Sequence, residues 1–217
     1  MTWSIHDGSK RTDAMRAALS SKSDLFSGTK GHTDPFVSAK TIAAIPARHA
    51  ARLEALIQAS LDPEVRLIEH VASVTNASAQ VGLDVLVVQR DDGCFLLDIL
   101  PARRVSDARR EDLIQITLAK LHVRPVVVTA ELLREPRYSN ARLVWSYRGA
   151  PVSVELRMRI LQALLDDGPL ALGELLKSIR SENDPVPAVM ALACADLLSL
   201  DLMSSPLGPV TIARSRA

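Results

Sequence analysis

Residues 82–100, GLDVLVVQRDDGCFLLDIL, constrain the fold more than any other stretch of the 217-residue chain. Two runs rich in Val, Leu and Phe flank the segment Arg90 to Gly93, a pattern that predicts a β-hairpin closed by a tight turn. Each arm also carries one acid, Asp84 and Asp98. Because an unpartnered buried carboxylate costs several kcal/mol, these acids indicate that water or a cation reaches the hairpin.

The composition limits the class of protein. Apolar residues make up 47% of the chain and aromatic residues only 3%, so we expect an aliphatic core. The net charge of +1 gives no overall field for nucleic acid or membrane surfaces, so such binding requires a local patch. Cys94 and Cys194 lack metal-ligand spacing and indicate a reduced compartment. With no signal-peptide or membrane-span pattern, we expect a soluble cytoplasmic protein.

Apolar spacing before residue 151 predicts a mixed α/β sheet with helices packed against it. A helix over 47–61 ends at Asp62-Pro63, and Ser106-Asp107 begins a second helix that runs to about Leu121. We expect strands over 65–74, 83–88 and 94–100, and a strand leading into a short helix over 125–133. The segment ARLVWSYR, residues 141–148, reads as an alternating or edge segment.

The character of the chain changes after Pro151. Three apolar-periodic segments predict helices over 155–165, 170–180 and 186–200, and 201–215 reads as two short strands around a loop. Three helices followed by a small hairpin form the winged-helix pattern. We therefore expect a flexible N-terminal arm (1–36), an α/β domain (37–150) and a C-terminal winged-helix domain (151–217).

Two acids on neighbouring strands can share a hard cation such as Mg²⁺. A lysine two residues after the second acid would complete a metal-dependent nuclease arrangement, but Leu100 occupies that position. Alternatively, Asp84 and Asp98 lie at solvent-facing strand ends or pair with arginines. The five histidines show no metal-ligand spacing, so we expect structural or exposed roles for them: His6, His32, His49, His70 and His122.

The order of several segments resembles the TnsA-type endonuclease subunit of heteromeric transposases, in the PD-(D/E)XK nuclease superfamily. The likeness spans about residues 33–214 and runs through PFVSAK, LDPEVRLIEH, GLDVLVV, FLLDIL, VVVTAELLREPRYSNARLVWSYR and DLMSSPLGPVTIARS. It implies a restriction-endonuclease-like mixed sheet flanked by helices, followed by a winged-helix domain. It also implies a setting in transposition or recombination and Mg²⁺ or Mn²⁺ as the cofactor of an active site.

Departures from the family concern the residues that would carry catalysis. The family's catalytic Glu on the first helix corresponds to Arg52, and Glu54 lies about 200° further round that helix. Asp84 matches the family's Pro-Asp acid, whereas Asp98 matches the next acid only in part. The family's lysine corresponds to Leu100. The resemblance therefore implies a degenerate core without enzymatic activity, with Asp84 and Asp98 as a remnant metal site, unless another cation replaces the lysine: Arg103, Arg104 or Lys120.

Basic residues suggest where DNA would bind. Residues 99–150 hold ten Lys/Arg against five acids, and the arginines near the hairpin lie close together in sequence. Such a cluster favours sequence-independent contacts with phosphates; a mixed-charge surface is the alternative. The expected backbone-binding residues are Arg48, Arg52, Arg103, Arg104, Arg109, Arg110 and Lys120. The third helix of the C-terminal unit has no Arg, Lys, Asn or Gln, which argues against base reading and favours a partner-binding role.

Three functions remain open from the sequence. The first is a DNA-associated pseudo-nuclease that binds DNA backbone, a DNA-processing partner such as a transposase, or both. The second is an active Mg²⁺-dependent DNA endonuclease with Asp84 and Asp98 at the metal. The third is a regulator that forms a homodimer through the apolar third helix and does not cut DNA.

Overall fold

The computed structural model describes residues 35–76, 79–99, 112, 115–116, 119, 123–129, 135–179, 181 and 184–216. Its larger sheet has the strand order β1-β2-β3-β4, with β1 to β3 antiparallel and β4 parallel to β3. This confirms the mixed α/β sheet flanked by helices. The first elements are α1 (Ala50–Leu61), β1 (Val65–Asn76), β2 (Ala79–Arg90), β3 (Gly93–Ile99) and β4 (Arg124–Val128).

Helix α1 packs on one face of this sheet. The His49 side chain caps its N-terminus by accepting a hydrogen bond from the Ala51 N–H at 3.1 Å. Leu56 is fully buried, and Pro63, which lacks an N–H, follows the C-terminus. The helix predicted over 47–61 is therefore confirmed from Ala50 onward, and Arg52 in its first turn reaches Asp84 of β2.

The predicted hairpin is also confirmed. Strands β2 and β3 pair from Leu86–Leu97 to Arg90–Gly93. Gly93 has a φ of +141°, and a Cβ there would lie 3.1 Å from Arg124 Nη2. The Arg124 guanidinium stands over the Phe95 ring at 4.4 Å, so the turn needs glycine both for its backbone and for this close approach.

Side chains of β3 alternate between the two faces of the sheet. Phe95 and Ile99 belong to the core shared with α1, and Leu97 packs against that core. Leu96 belongs to a smaller cluster on the opposite face, with Cys94 packed against it. This alternation fixes the face on which each polar residue of the hairpin lies.

One expectation before residue 151 is wrong. The segment ARLVWSYR is not an alternating or edge segment, because residues 141–146 belong to helix α2 (Arg137–Ser146). Ala141 and Val144 are buried, and the Trp145 ring stacks on Phe36 with 5.1 Å between centroids. Positions three and four apart share one helix face, which is how this segment buries its apolar residues.

The C-terminal part folds as α3 (Val154–Asp166), β5 (Leu170–Ala171), α4 (Leu172–Ser178), α5 (Val186–Cys194), β6 (Leu198–Leu200) and β7 (Ile212–Ser215). Its strands form an antiparallel sheet in the order β5-β7-β6. The third helix is shorter than predicted: it ends at Cys194, and Asp196 then takes a φ of +59°. The sequence predicts two strands within 201–215. The first of them instead lies just before this range, as β6, and the second is β7.

One apolar core joins the regions before and after residue 151. It contains Leu56 of α1, Leu86 of β2, Val144 of α2, Leu164 of α3 and Val189 of α5. Segments on both sides of the predicted domain boundary, between residues 150 and 151, therefore bury their apolar side chains in the same core.

The predicted N-terminal arm lies outside the described residues, apart from its last two positions. Of these, Phe36 is buried and pairs with Ile45. Most of the helix predicted over 106–121 also lies outside the described residues. None of the helices that the structure describes is long and apolar enough to cross a membrane.

Candidate functional site at Asp84

Asp84 is the polar centre of the hairpin. Its carboxylate accepts hydrogen bonds from Arg52 Nη1 at 3.1 Å and Arg48 Nη1 at 3.4 Å. His70 Nε2 lies 2.9 Å from Asp84 Oδ1. The two arginines come from α1 and the segment just before it, and His70 comes from β1. The cluster of Arg48, Arg52, His70 and Asp84, called the Asp84 cluster below, therefore ties α1 to two strands.

The backbone of Asp84 is unusual for a strand residue. Its φ is +49°, a region that residues other than glycine rarely occupy and that Asp tolerates better than branched residues. Nearby, the register between β1 and β2 shifts between Val71 and Ser73, the mark of a β-bulge. The strand irregularity thus coincides with the residue that receives the three contacts, as is common at specialised sites.

Electrostatics keep Asp84 ionised. Burial alone would raise the pKa of this carboxyl, but the hydrogen bond with His70 and the charges of Arg52 and Arg48 outweigh that effect. The pKa of Asp84 is therefore held well below its ordinary value. Asp84 is the anion of an internal ion-pair cluster throughout the physiological pH range.

The two arginines of the cluster differ in exposure. The Arg52 side chain is only 10% exposed, whereas that of Arg48 is 43% exposed. Two guanidinium groups against one carboxylate leave the cluster with a net charge of +1 when His70 is neutral. Arg52, expected to contact DNA, is directed inward to Asp84, and Arg48 is the member that solvent or a phosphate can reach.

A divalent cation does not fit this donor set. Mg²⁺ and Mn²⁺ take oxygen ligands such as carboxylates and waters. Guanidinium groups donate hydrogen bonds, carry a permanent positive charge and cannot coordinate a metal. Asp84 is therefore paired with arginines, which is one of the alternatives to metal binding that the sequence leaves open.

Asp98 does not join the Asp84 cluster. It follows Leu97 and precedes Ile99, which both contact the core on the α1 side, so strand alternation places Asp98 on the other face with Cys94 and Leu96. The arrangement separates the two acids that were expected to share a cation. Within the described residues, no group of three His, Cys, Asp or Glu side chains is arranged to hold a metal ion.

Two further acids, Glu54 and Glu69, lie on α1 and β1, the elements that supply Arg52 and His70 to the Asp84 cluster. Glu54 is buried, and its Oε1 accepts from Arg142 Nε at 2.9 Å and Nη2 at 2.7 Å, so it faces α2. This agrees with the expectation that Glu54 faces away from the Arg52 side of its helix. The Cys94 thiol has a pKa raised by burial and, to a smaller degree, by the charge of Glu69. This places Glu69 near Cys94, on the face opposite the Asp84 cluster.

His70 is the site residue that the sequence analysis missed. The sequence favours a structural or exposed role for it, yet its Nε2 contacts the central carboxylate directly. Finding it requires the pairing of His70 with Leu86, a non-local register that no local pattern reveals. The sequence signal nearest to it is its position at the end of LDPEVRLIEH, one of the segments that carry the family resemblance.

The buried lysine of PFVSAK has a different role. Lys40 Nζ donates to the Asp62 carbonyl at 2.6 Å and lies 3.2 Å from Asp196 Oδ1. Arg216 Nε lies 3.0 Å from the same Asp196 oxygen. Burial lowers the pKa of Lys40. These contacts join the segment before α1 to the turn after α5, well away from the hairpin acids.

The remaining residues expected to bind DNA backbone lie outside the described residues: Arg103, Arg104, Arg109, Arg110 and Lys120. Leu100, at the position where the resemblance would place a lysine, lies outside them as well. No family model matches the sequence, and no curated protein matches it.

Proposed function

We propose that this chain is a DNA-associated protein built on a degenerate, catalytically inactive nuclease core of the TnsA type. The observation that carries the proposal is the contact between Arg52 and Asp84 at 3.1 Å. In the resembled family, the Arg52 position holds a catalytic Glu. Here a guanidinium takes the place of both that acid and the cation it would help to bind.

The element order supports the same proposal. A helix, three antiparallel strands and a fourth strand parallel to the third are consistent with a restriction-endonuclease-like core. The order helix, strand, helix, helix, strand, strand after residue 151 is consistent with a winged-helix unit. Fold likeness alone does not assign chemistry, so the proposal depends on the Asp84 cluster.

The role in DNA association follows from charge. The Asp84 cluster is net positive, and Arg48 at its rim is partly exposed. The sequence adds the basic residues between 103 and 120. Lys and Arg side chains bind phosphates without reading sequence and release counterions as they do so. We therefore propose backbone binding in support of a transposase or another DNA-processing partner, with the winged-helix unit holding that partner.

The first test is calorimetric titration of Mn²⁺ into the purified protein. We expect no saturable binding to the wild type at millimolar Mn²⁺, because the cluster repels cations. Arg52→Glu replaces a cation with a ligand and should create weak, saturable binding. Arg52→Met is the matched control, since it removes the charge without supplying a ligand. Saturable wild-type binding that disappears in Asp84→Ala would contradict the proposal and favour the active nuclease.

The second test measures DNA affinity by fluorescence anisotropy of a labelled duplex over a series of salt concentrations. Each lost phosphate contact should lower the salt slope by about 1. We expect this loss in Arg103→Glu/Arg104→Glu. Arg66→Glu is the control, because Arg66 is an exposed arginine paired with Asp91 at the far end of the sheet. Absence of duplex binding at low salt would refute the DNA role.

A further inference from the structure

We propose that this protein forms a weak two-fold homodimer through helix α3, with the two copies of that helix antiparallel. The occupant of the exposed α3 face is thus a second copy of the chain. Helix α5, through which the sequence analysis expects a dimer, is buried from Ala188 to Cys194, whereas α3 exposes apolar side chains. This inference stands independently of the proposed DNA role.

Helix α3 displays an apolar stripe to solvent. Val154 is 77% exposed, and Met158 and Leu165 are each 59% exposed. Leu161 lies between them and is half-buried. A second side of the helix, with Ile160 and Leu164, is buried in the core. The helix is therefore apolar on two sides, although a surface helix normally buries only one.

The spacing of the stripe is self-complementary. Its members, Val154, Met158, Leu161 and Leu165, are separated by four, three and four residues, the alternation of a coiled-coil seam. Reversing the direction of the helix gives the same intervals. In an antiparallel pair, Val154 faces Leu165 of the second copy and Met158 faces Leu161, so a two-fold axis passes between Arg159 and Ile160. An isologous interface requires this property.

Charges favour the antiparallel orientation. The first half of α3 carries Arg157, Arg159 and Glu155, a net charge of +1, with Glu155 paired to Arg159 within the helix, whereas Asp166 and Asp167 lie at the end of α3. Antiparallel packing brings the arginine half of one helix toward the acidic end of the other, whereas parallel packing places like charges together. The opposed helix dipoles add a small favourable contribution.

The size of the surface predicts a weak dimer. Stable specific interfaces bury about 1,200–2,000 Å² in total, and four side chains on one helix supply only part of that area. A groove of about 550 Å³ opens beside Met158 and adds an apolar recess, lined by Met158, Arg159, Gln162, Ala163, Ser178 and Ile179. We expect a dissociation constant for the dimer in the micromolar range or above.

The test is sedimentation equilibrium of the full chain from low micromolar to several hundred micromolar protein. The wild-type mass should rise from 23.5 kDa toward twice that value. Met158→Glu places a charge in the apolar stripe of α3 and should raise the dissociation constant of the dimer at least tenfold. Met203→Glu is the matched control, because Met203 is 57% exposed but lies outside α3. A wild-type mass that stays monomeric over the whole range would overturn the proposal.

Disulfide trapping tests the orientation separately. Val154→Cys/Leu165→Cys should cross-link two copies under mild oxidation, because the antiparallel pair brings these positions together. Leu165→Cys alone should not, since the two copies of residue 165 lie at opposite ends of the pair, about 16 Å apart along the axis. Efficient cross-linking of the single variant would indicate parallel packing and overturn the assignment.

Discussion

At the residue scale, the Asp84 cluster shows how one side chain sets the charge around a carboxylate. An acid at position 52 would leave Asp84 able to share a cation, whereas Arg52 supplies the positive charge from within the protein. The interaction is partly buried, so solvent screens it less than a surface pair. The cluster is therefore expected to contribute to stability, because removing one partner leaves the others in an unbalanced, partly buried environment.

We expect Asp84→Asn to lower the free energy of unfolding at neutral pH by about 1–3 kcal/mol, the range for losing hydrogen bonds to a charged group. The pKa of Asp84 is lower in the folded state, so its contribution is fully present above the ordinary Asp pKa of about 3.9. It is lost as the pH falls below that value toward the lowered folded pKa. The variant should therefore show a shallower fall of stability in acid.

Chemical denaturation at a series of pH values measures this difference. Asp91→Asn is the matched control, because Arg66 also lowers the pKa of Asp91 but the pair is exposed. We expect the control to change stability much less at neutral pH. Equal losses of unfolding free energy in the two variants would show that burial of the Asp84 cluster does not increase its contribution to stability.

At the scale of elements, Asn140 of α2 positions the loop between β6 and β7. Its Nδ2 donates to the carbonyls of Leu202 at 3.0 Å and Ser205 at 2.8 Å. Its Oδ1 accepts from the Leu207 N–H at 2.8 Å. A single buried amide thus replaces the backbone partners that a regular strand would offer this loop.

Asn140→Ala should destabilise the protein by about 2–4 kcal/mol, because three hydrogen bonds are lost and buried carbonyls are left without donors. Faster proteolytic cleavage within 201–211 should accompany the loss. Ser139→Ala is the control: Ser139 is exposed and bonds only to Glu135 among the contacts described, so a change within about 0.5 kcal/mol is expected. Unchanged stability and cleavage in Asn140→Ala would contradict this role.

Local patterns predicted elements better than they predicted the site. The hairpin was predictable because its turn and apolar runs are contiguous in sequence. The sequence does not predict helix α2, because only a few of its residues are buried and those also suit an edge strand. The face of Asp98 depends on register, where a shift of one residue moves a side chain to the opposite side. Contacts such as His70 with Asp84 depend on the same non-local pairing.

At the scale of the whole molecule, one core spans the chain from Phe36 to Ala213. Helices α1, α2 and α5 contribute to it together, so the part before residue 151 does not bury its apolar faces by itself. Elements that share a core are expected to unfold together.

We therefore expect one cooperative unfolding transition. Far-UV circular dichroism and Trp145 fluorescence should give the same midpoint in a Trp3→Phe background, and Leu164→Ala should shift both by the same amount. This substitution removes a buried leucine of α3 and should cost about 2–5 kcal/mol. Two separate transitions, or a shift in only one signal, would show that the regions are independent.

Cys194 lies where α2 and α5 meet, and its Sγ donates to the Val144 carbonyl at 3.3 Å. Burial raises the pKa of this thiol to about 12. Since only a thiolate reacts readily with alkylating reagents, the native chain should modify Cys94, which is less buried, long before Cys194. The alkylation rate of Cys194 should therefore report how often α2 and α5 separate. Mass spectrometry can measure this rate without any engineered label.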